Sequence, residues 1–222
     1  MKYICITFLL ALQLQVWSQK EKIYNISIEE RNAAIELVNK ATIKINKGLV
    51  KESFSLINEA IKTDSTLHNS YDLLYRACLT DANYSNTAIE NFFTAKRIFD
   101  LDDEICFYIA ELYRFRNEHK KAIDEYSKAI EYLKSSNEKS KFWLQYFSGR
   151  AFCYTKTNNF KAAMLDYNTY LKEKPMDAVI LINRGVCYQK LGNMSMAIID
   201  WKKSEQLGNP TGKIYLDRAN KK

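Results

Sequence analysis

Gly185-Val-Cys-Tyr188-Gln-Lys-Leu-Gly192-Asn-Met-Ser-Met-Ala197-Ile-Ile-Asp-Trp201 carries four marked positions. They are a small residue, a tyrosine three residues on, an alanine twelve residues after the small one, and a large aromatic four after that. The same set returns upstream as Ala151, Tyr154, Ala163 and Tyr167, and again as Ala110, Tyr113, Ala122 and Tyr126. Ala88 and Phe92 repeat its second half. Successive alanines stand 34, 41 and 34 residues apart, and Pro175 and Pro210 fall at nearly the same offset in the last two units. A fixed period of this length marks an array of supersecondary units, each too small to bury its own apolar face alone.

Each column has a physical reason. Residues three or four apart share one helical face, so the small residue and tyrosine mark the inner face of a first helix. The alanine and aromatic mark the facing side of a second helix. Small residues let the two helices approach, and the rings fill the remaining space. Polar turns separate the helices at Asn117-Glu118, Asn158-Asn159 and Gly192-Asn193, and Gly192 is suited to the left-handed conformation that ends a helix.

The template extends backwards less completely. Ala88, Phe92 and Ala95 match in one unit, where Arg76 takes the small-residue place and Ala77 lies one position off. Ala41, Gly48, Ile57 and Ala60 match in another, with Ser53 for the alanine and no large aromatic. Five helical hairpins are expected over residues 29–67, 69–101, 103–136, 140–177 and 178–210, with a capping segment at 211–222. The seven extra residues of the longer period surround Lys134–Ser140 and predict longer flanking helices or a longer turn.

These columns resemble the tetratricopeptide repeat, with its large opening residue, tyrosine, alanine, aromatic and closing proline. The resemblance spans about residues 29–210 and is most complete over 103–210. It implies an all-α, right-handed α-solenoid of about five helix-turn-helix repeats with a short C-terminal capping helix, and a role in binding other proteins. Two further features depart from the family pattern. Cys106, Phe147 and Leu181 stand where tryptophan often opens a unit. Tyr170 occupies a place where a small residue lets neighbouring helices touch, which predicts looser packing of the fourth hairpin on the fifth.

Composition agrees with an all-helical reading. The 222 residues are 47% hydrophobic and 27% charged, with only six glycines and two prolines, fewer turn formers than a β-sandwich or barrel needs. The formal net charge of +7 favours acidic partners at long range. The charges are interleaved, as in Lys20-Glu21-Lys22 and Glu118-His119-Lys120-Lys121, and read as a solvated surface. Residues 1–18 pair a positive start with an apolar run and end on Val16-Trp17-Ser18. That order is the layout of a secretory signal peptide, followed by a linker over 19–28. It predicts an exported protein, periplasmic or extracellular, from a bacterial cell envelope. The apolar run is shorter than the ~20 residues a membrane span takes, and none follows it.

Nothing assembles a catalytic set. His68 and His119 fall in a loop and a turn, and no Gly-x-Ser-x-Gly or His-Glu-x-x-His occurs. Gly208-Asn-Pro-Thr-Gly212-Lys213 is one residue short of a phosphate loop and follows a helix, so it reads as the stop of the fifth hairpin. Cys5 belongs to the leader. Cys78, Cys153 and Cys187 share one repeat column, too widely spaced for disulfides, and no Cys or His cluster suggests zinc. No cofactor or metal is expected. The 13% aromatic content is assigned to packing rather than to nucleic acid.

The resemblance implies a concave groove lined by the first helices. By phase it includes Glu104, Phe107, Glu111, Arg114 and Phe115, then Gln145, Ser148, Phe152 and Lys156, then Val179, Ile182, Val186, Gln189 and Lys190. Phe107, Ser148 and Ile182 replace the polar residues of a carboxylate clamp, which leaves a mixed apolar and charged groove with Phe107, Phe115 and Phe152 as anchors. An equal alternative is that these rings only complete the packing. The expected function is a protein- or peptide-binding module without enzymatic activity. The alternative is a structural or assembly component of an envelope complex, self-associating or scaffolding.

Overall fold

A computed structural model describes residues 25–136 and 139–220. The leader expected at residues 1–18, with Cys5, lies outside the described residues. Eleven α-helices and one short 3₁₀ turn make up the described chain. It divides into two compact units between Asp100 and Leu101.

The first unit holds two hairpins. Helix α1, Ile28–Asn46, starts at Ser27, whose hydroxyl accepts from the Glu30 N–H while the Glu30 carboxylate accepts from the Ser27 N–H. This reciprocal pair satisfies two of the free donors at the helix start. Gly48, at φ +76°, turns the chain into α2, Val50–Thr63. Ala41 and Ser53 meet at full burial, and the Ser53 hydroxyl donates to the Ala41 carbonyl at 2.9 Å. A buried hydroxyl at an alanine position is thereby satisfied.

The second hairpin pairs α3, His68–Thr80, with α4, Ser85–Ile98. Its turn is a 3₁₀ segment, Ala82–Tyr84, with no left-handed residue. That turn shifts the phase by one residue. Ala77, fully buried, takes the small-residue place, and Arg76 points outward and is exposed.

The second unit holds α5, Asp103–Phe115; α6, His119–Ser135; α7, Trp143–Lys156; α8, Phe160–Glu173; α9, Ala178–Lys190; α10, Met194–Gln206; and α11, Pro210–Ala219. Asp102, Asn159, Asp177, Asn193 and Asn209 cap five of these helices through their side chains. Asn117, Asn158 and Gly192 take the left-handed conformation at one equivalent turn position, with φ of 60°, 60° and 83°. Asparagine and glycine are the residues that adopt it at least cost. Helix α6 runs for 17 residues against 14 for α8, so part of the extra length of the long period is helical.

The alanine and aromatic columns form the core. Ala88, Ala122, Ala163 and Ala197 are completely buried, as are Phe92, Tyr126, Tyr167 and Trp201. Two expectations change. Pro210 opens α11 at its first turn, where its missing N–H costs nothing, so it begins the cap. Tyr170 is buried, and its hydroxyl donates to Asp177 Oδ2 at 2.9 Å, so the large ring is tied to the start of the next hairpin.

A salt bridge recurs between hairpin partners. Arg150 on α7 gives Nε and Nη2 to Asp166 on α8, both at 2.8 Å. Arg184 on α9 does the same to Asp200 on α10, at 2.8 and 2.7 Å. The remaining nitrogen of each reaches back to the previous second helix, Arg150 to Ser127 Oγ and Arg184 to Asn168 Oδ1. Planar, five-donor guanidinium suits this three-way connection as lysine would not.

Candidate cationic and aromatic surface

The C-terminal turns of α5 and α7 bring together five of the nine residues expected to face a partner. Glu111, one turn before the end of α5, accepts from Arg114 Nε at 3.0 Å and Nη2 at 2.6 Å. It also accepts a short hydrogen bond from the Tyr126 hydroxyl on α6. Glu111 is buried, so the two donors offset the cost of burying its charge. Burial opposes the charge on Arg114, but the Glu111 carboxylate more than offsets this and holds the guanidinium firmly protonated. Burial, followed by the Glu111 charge, drives the Tyr126 phenol well above its ordinary range. Arg114 is thereby fixed in place.

Above this pair lies a layer of rings and cations. The Arg114 guanidinium sits 4.4 Å from the Phe115 centroid and 5.7 Å from that of Phe152. Lys156 Nζ lies 5.2 Å from the Phe152 centroid. His119, at the start of α6, meets Phe152 edge-on at 6.0 Å. Phe152 is therefore surrounded by three nitrogen-bearing side chains, an arrangement that draws on the negative face of the ring. Phe115 is 46% exposed, Phe152 half-buried and Lys156 exposed. Burial, then the charges of Lys156 and Arg114, lowers the His119 pKa from its ordinary value.

The other expected residues stand apart from this layer. Phe107 is 3% exposed, stacked on Phe142 at 4.9 Å and against Tyr146 at 5.2 Å. It is a packing residue, because the chain entering α7 covers it. Ile182 is buried too, its carbonyl accepting from Trp201 Nε1. Glu111 also leaves the partner-facing set, since its oxygens are taken up by Arg114 and Tyr126. Half-buried Gln189 and exposed Lys190 lie on α9, and among the described residues no hydrogen bond, ion pair or ring contact ties them to the layer. His119 is the member that the sequence did not single out. Its signal was positional, since the first residue of a second helix lies beside the last turn of the first.

The cysteines do not contribute. Cys78, Cys106, Cys153 and Cys187 are free and buried. Burial pushes the thiols of Cys78 and Cys153 up to about 12, far from a reactive thiolate.

No family model and no curated protein sequence matches the chain. Solved structures do match it. A crystal structure of the MamA protein superposes with a TM-score of 0.65 at 17% identity, over 82% of this chain and 94% of that one. YrrB, described as a TPR protein with an unusual peptide-binding site, gives 0.65 at 14% identity over 83% and 92%. PilW, described as a widely conserved type IV pilus biogenesis factor, gives 0.65 at 15% identity over 78% and 77%. At these identities the likeness is one of fold, and the chain has the all-helical tetratricopeptide-repeat fold of these structures.

Proposed function

We propose that this chain is an exported protein-interaction module that holds a protein or peptide on the first helices of its hairpins. The observation that carries the reading is the layer of Arg114, Phe115, Phe152 and Lys156, where accessible rings lie beside two cations, Arg114 held in place from beneath by Glu111. Aromatic and arginine side chains on a preorganised backbone are the usual anchors of binding surfaces. The YrrB likeness supports peptide binding as a use of this fold. Export rests on the order of charge, apolar run and small residue over residues 1–18. No catalytic role is assigned, because function must be argued from a site and this layer pairs no nucleophile with a base.

The test is affinity capture from the native envelope with the tagged chain and with a Phe115→Ser/Lys156→Glu variant of unchanged circular dichroism. Partners retained by the parent and lost by the variant are expected. Undiminished capture by the variant would overturn the reading.

An assembly role has one observation of its own. Leu165 on α8 and Ile199 on α10 stand two residues after their repeat alanines and are 70% and 55% exposed. Equivalent apolar positions on successive second helices would suit a scaffold contact. A sedimentation coefficient independent of concentration would exclude its self-associating form.

A further inference from the structure

The layer on α5 and α7 has an unbalanced charge. Residues 111–121 together with Lys156 carry five cations (Arg114, Arg116, Lys120, Lys121 and Lys156) against two carboxylates, Glu111 and Glu118. Glu111 is taken by Arg114 and Tyr126, and Glu118 by Arg116 and Lys121. Among the described residues no carboxylate is paired with Lys156, and its ammonium lies by the ring of Phe152. The apolar part of the layer is small, an exposed Phe115 and a half-buried Phe152.

We infer that this surface docks an acidic protein segment, one that sets a carboxylate against Lys156 and an aromatic side chain against Phe115 and Phe152. The inference rests on the binding reading above and names the chemistry of its partner. Charge complementarity supplies the first half of the match. A lone exposed ammonium with no counter-charge attracts a carboxylate, and the surrounding excess of cations steers it there. The rings supply the second half. Phe115 already has the Arg114 guanidinium on one side, so a partner ring completes the stack at low cost in ordering, because Arg114 is fixed by Glu111. A basic segment meets repulsion from every unpaired cation here.

The test uses the full chain and three fluorescein-labelled peptides of equal length, read by anisotropy. One repeats Glu-Glu-Phe, one repeats Lys-Lys-Phe and one repeats Glu-Glu-Ser. The Glu-Glu-Phe peptide is expected to bind best, with affinity falling as salt is raised. Lys156→Glu and Phe115→Ser should each weaken it about tenfold, while Lys172→Glu, an exposed charge reversal on α8, should not. Equal binding of the acidic and basic peptides, or no difference between Lys156→Glu and Lys172→Glu, overturns the inference. So does tighter binding of a single-stranded oligonucleotide than of the Glu-Glu-Phe peptide. If the peptides fail while envelope partners are still lost by the Phe115→Ser/Lys156→Glu variant, the acidic chemistry is wrong and the binding reading stands. If the variant keeps its envelope partners, the binding reading itself falls.

Discussion

Gly185 and Trp201 share one position in the core of the fifth hairpin. The indole lies against the Gly185 backbone so closely that a Cβ there would overlap Nε1 and Cδ1, and Nε1 reaches the Ile182 carbonyl at 3.4 Å. In the third and fourth hairpins the corresponding pairs are Ala110 with Tyr126 and Ala151 with Tyr167. Along these sequence columns the larger ring stands with the smaller residue, and Tyr126 in turn presses on Gly149 of the next hairpin. Gly185→Ala should therefore destabilise by about 1–3 kcal/mol from overpacking, despite a gain of up to about 1 kcal/mol in helix propensity. Adding Trp201→Tyr should recover much of the loss. A double-mutant cycle by urea denaturation measures the coupling, and additive effects would show that the two residues do not compete for space.

Phe107 and Phe115 should separate cleanly as serine variants. Phe107 is almost wholly buried among Phe142, Tyr146 and Tyr126, so Phe107→Ser is expected to cost about 3–5 kcal/mol. Phe115 is largely outside the core, and Phe115→Ser should stay within about 0.5 kcal/mol of the parent. Thermal unfolding of the two variants checks both numbers.

The arginine bridges predict a different pattern. Asp200 is 2% exposed at its side chain and Arg184 20%. Asp200→Ala leaves a guanidinium half-sequestered and unpaired, and should cost about 3 kcal/mol. Replacing both partners, as Arg184→Met/Asp200→Leu, should cost less than Asp200→Ala alone. Chemical denaturation of the three proteins decides it.

His119 predicts a pH dependence. It faces Arg114 from α5 and Lys156 and Phe152 from α7, with Glu118 beside it in sequence and committed to Arg116 and Lys121. Its folded pKa lies below the ordinary value of about 6.5. The unfolded chain then binds the proton more readily, so stability is full above that value and declines as pH falls from it toward the folded pKa. His119→Gln should flatten this part of the profile. A melting temperature that falls equally in parent and variant between about pH 7 and about pH 5 would assign the effect elsewhere.

Thiol chemistry gives a fifth check. Cys78, Cys106, Cys153 and Cys187 should resist iodoacetamide in the folded protein and react once it is unfolded, as seen by peptide-resolved mass spectrometry.

The helical columns were legible because small, aromatic and turn residues answer to local geometry. Ala122 with Tyr126 and Ala163 with Tyr167 lie on one helix face whatever surrounds them. The offset in the second hairpin was visible only as a mismatch at Arg76, since a 3₁₀ turn has no strong sequence mark. The partner-facing set was half legible. Helical phase put Phe107 and Phe115 on the same helix, but whether a ring is covered depends on the next hairpin. Phe142 and Tyr146, reached through the longer connection, bury one and leave the other open. The arginine bridges were present in the sequence as Arg150/Asp166 and Arg184/Asp200, sixteen residues apart in both cases. Ile109 and Glu125 break the pattern in the third hairpin, where Glu125 turns to Lys128 instead, and two occurrences did not announce themselves as a column.

Those bridges also bear on how the second unit comes apart. Arg150 grips Asp166 in its own hairpin and Ser127 in the one before, and Arg184 repeats the hold on Asp200 and Asn168. In a linear array, stability is the sum of each unit's own contribution and a term for each junction. Every arginine here belongs to both sums at once. Fraying from the C-terminal end cannot release one hairpin and leave its neighbour's surface untouched. Each junction between the three hairpins is thereby coupled to the inside of a hairpin, with the arginines as the clasps.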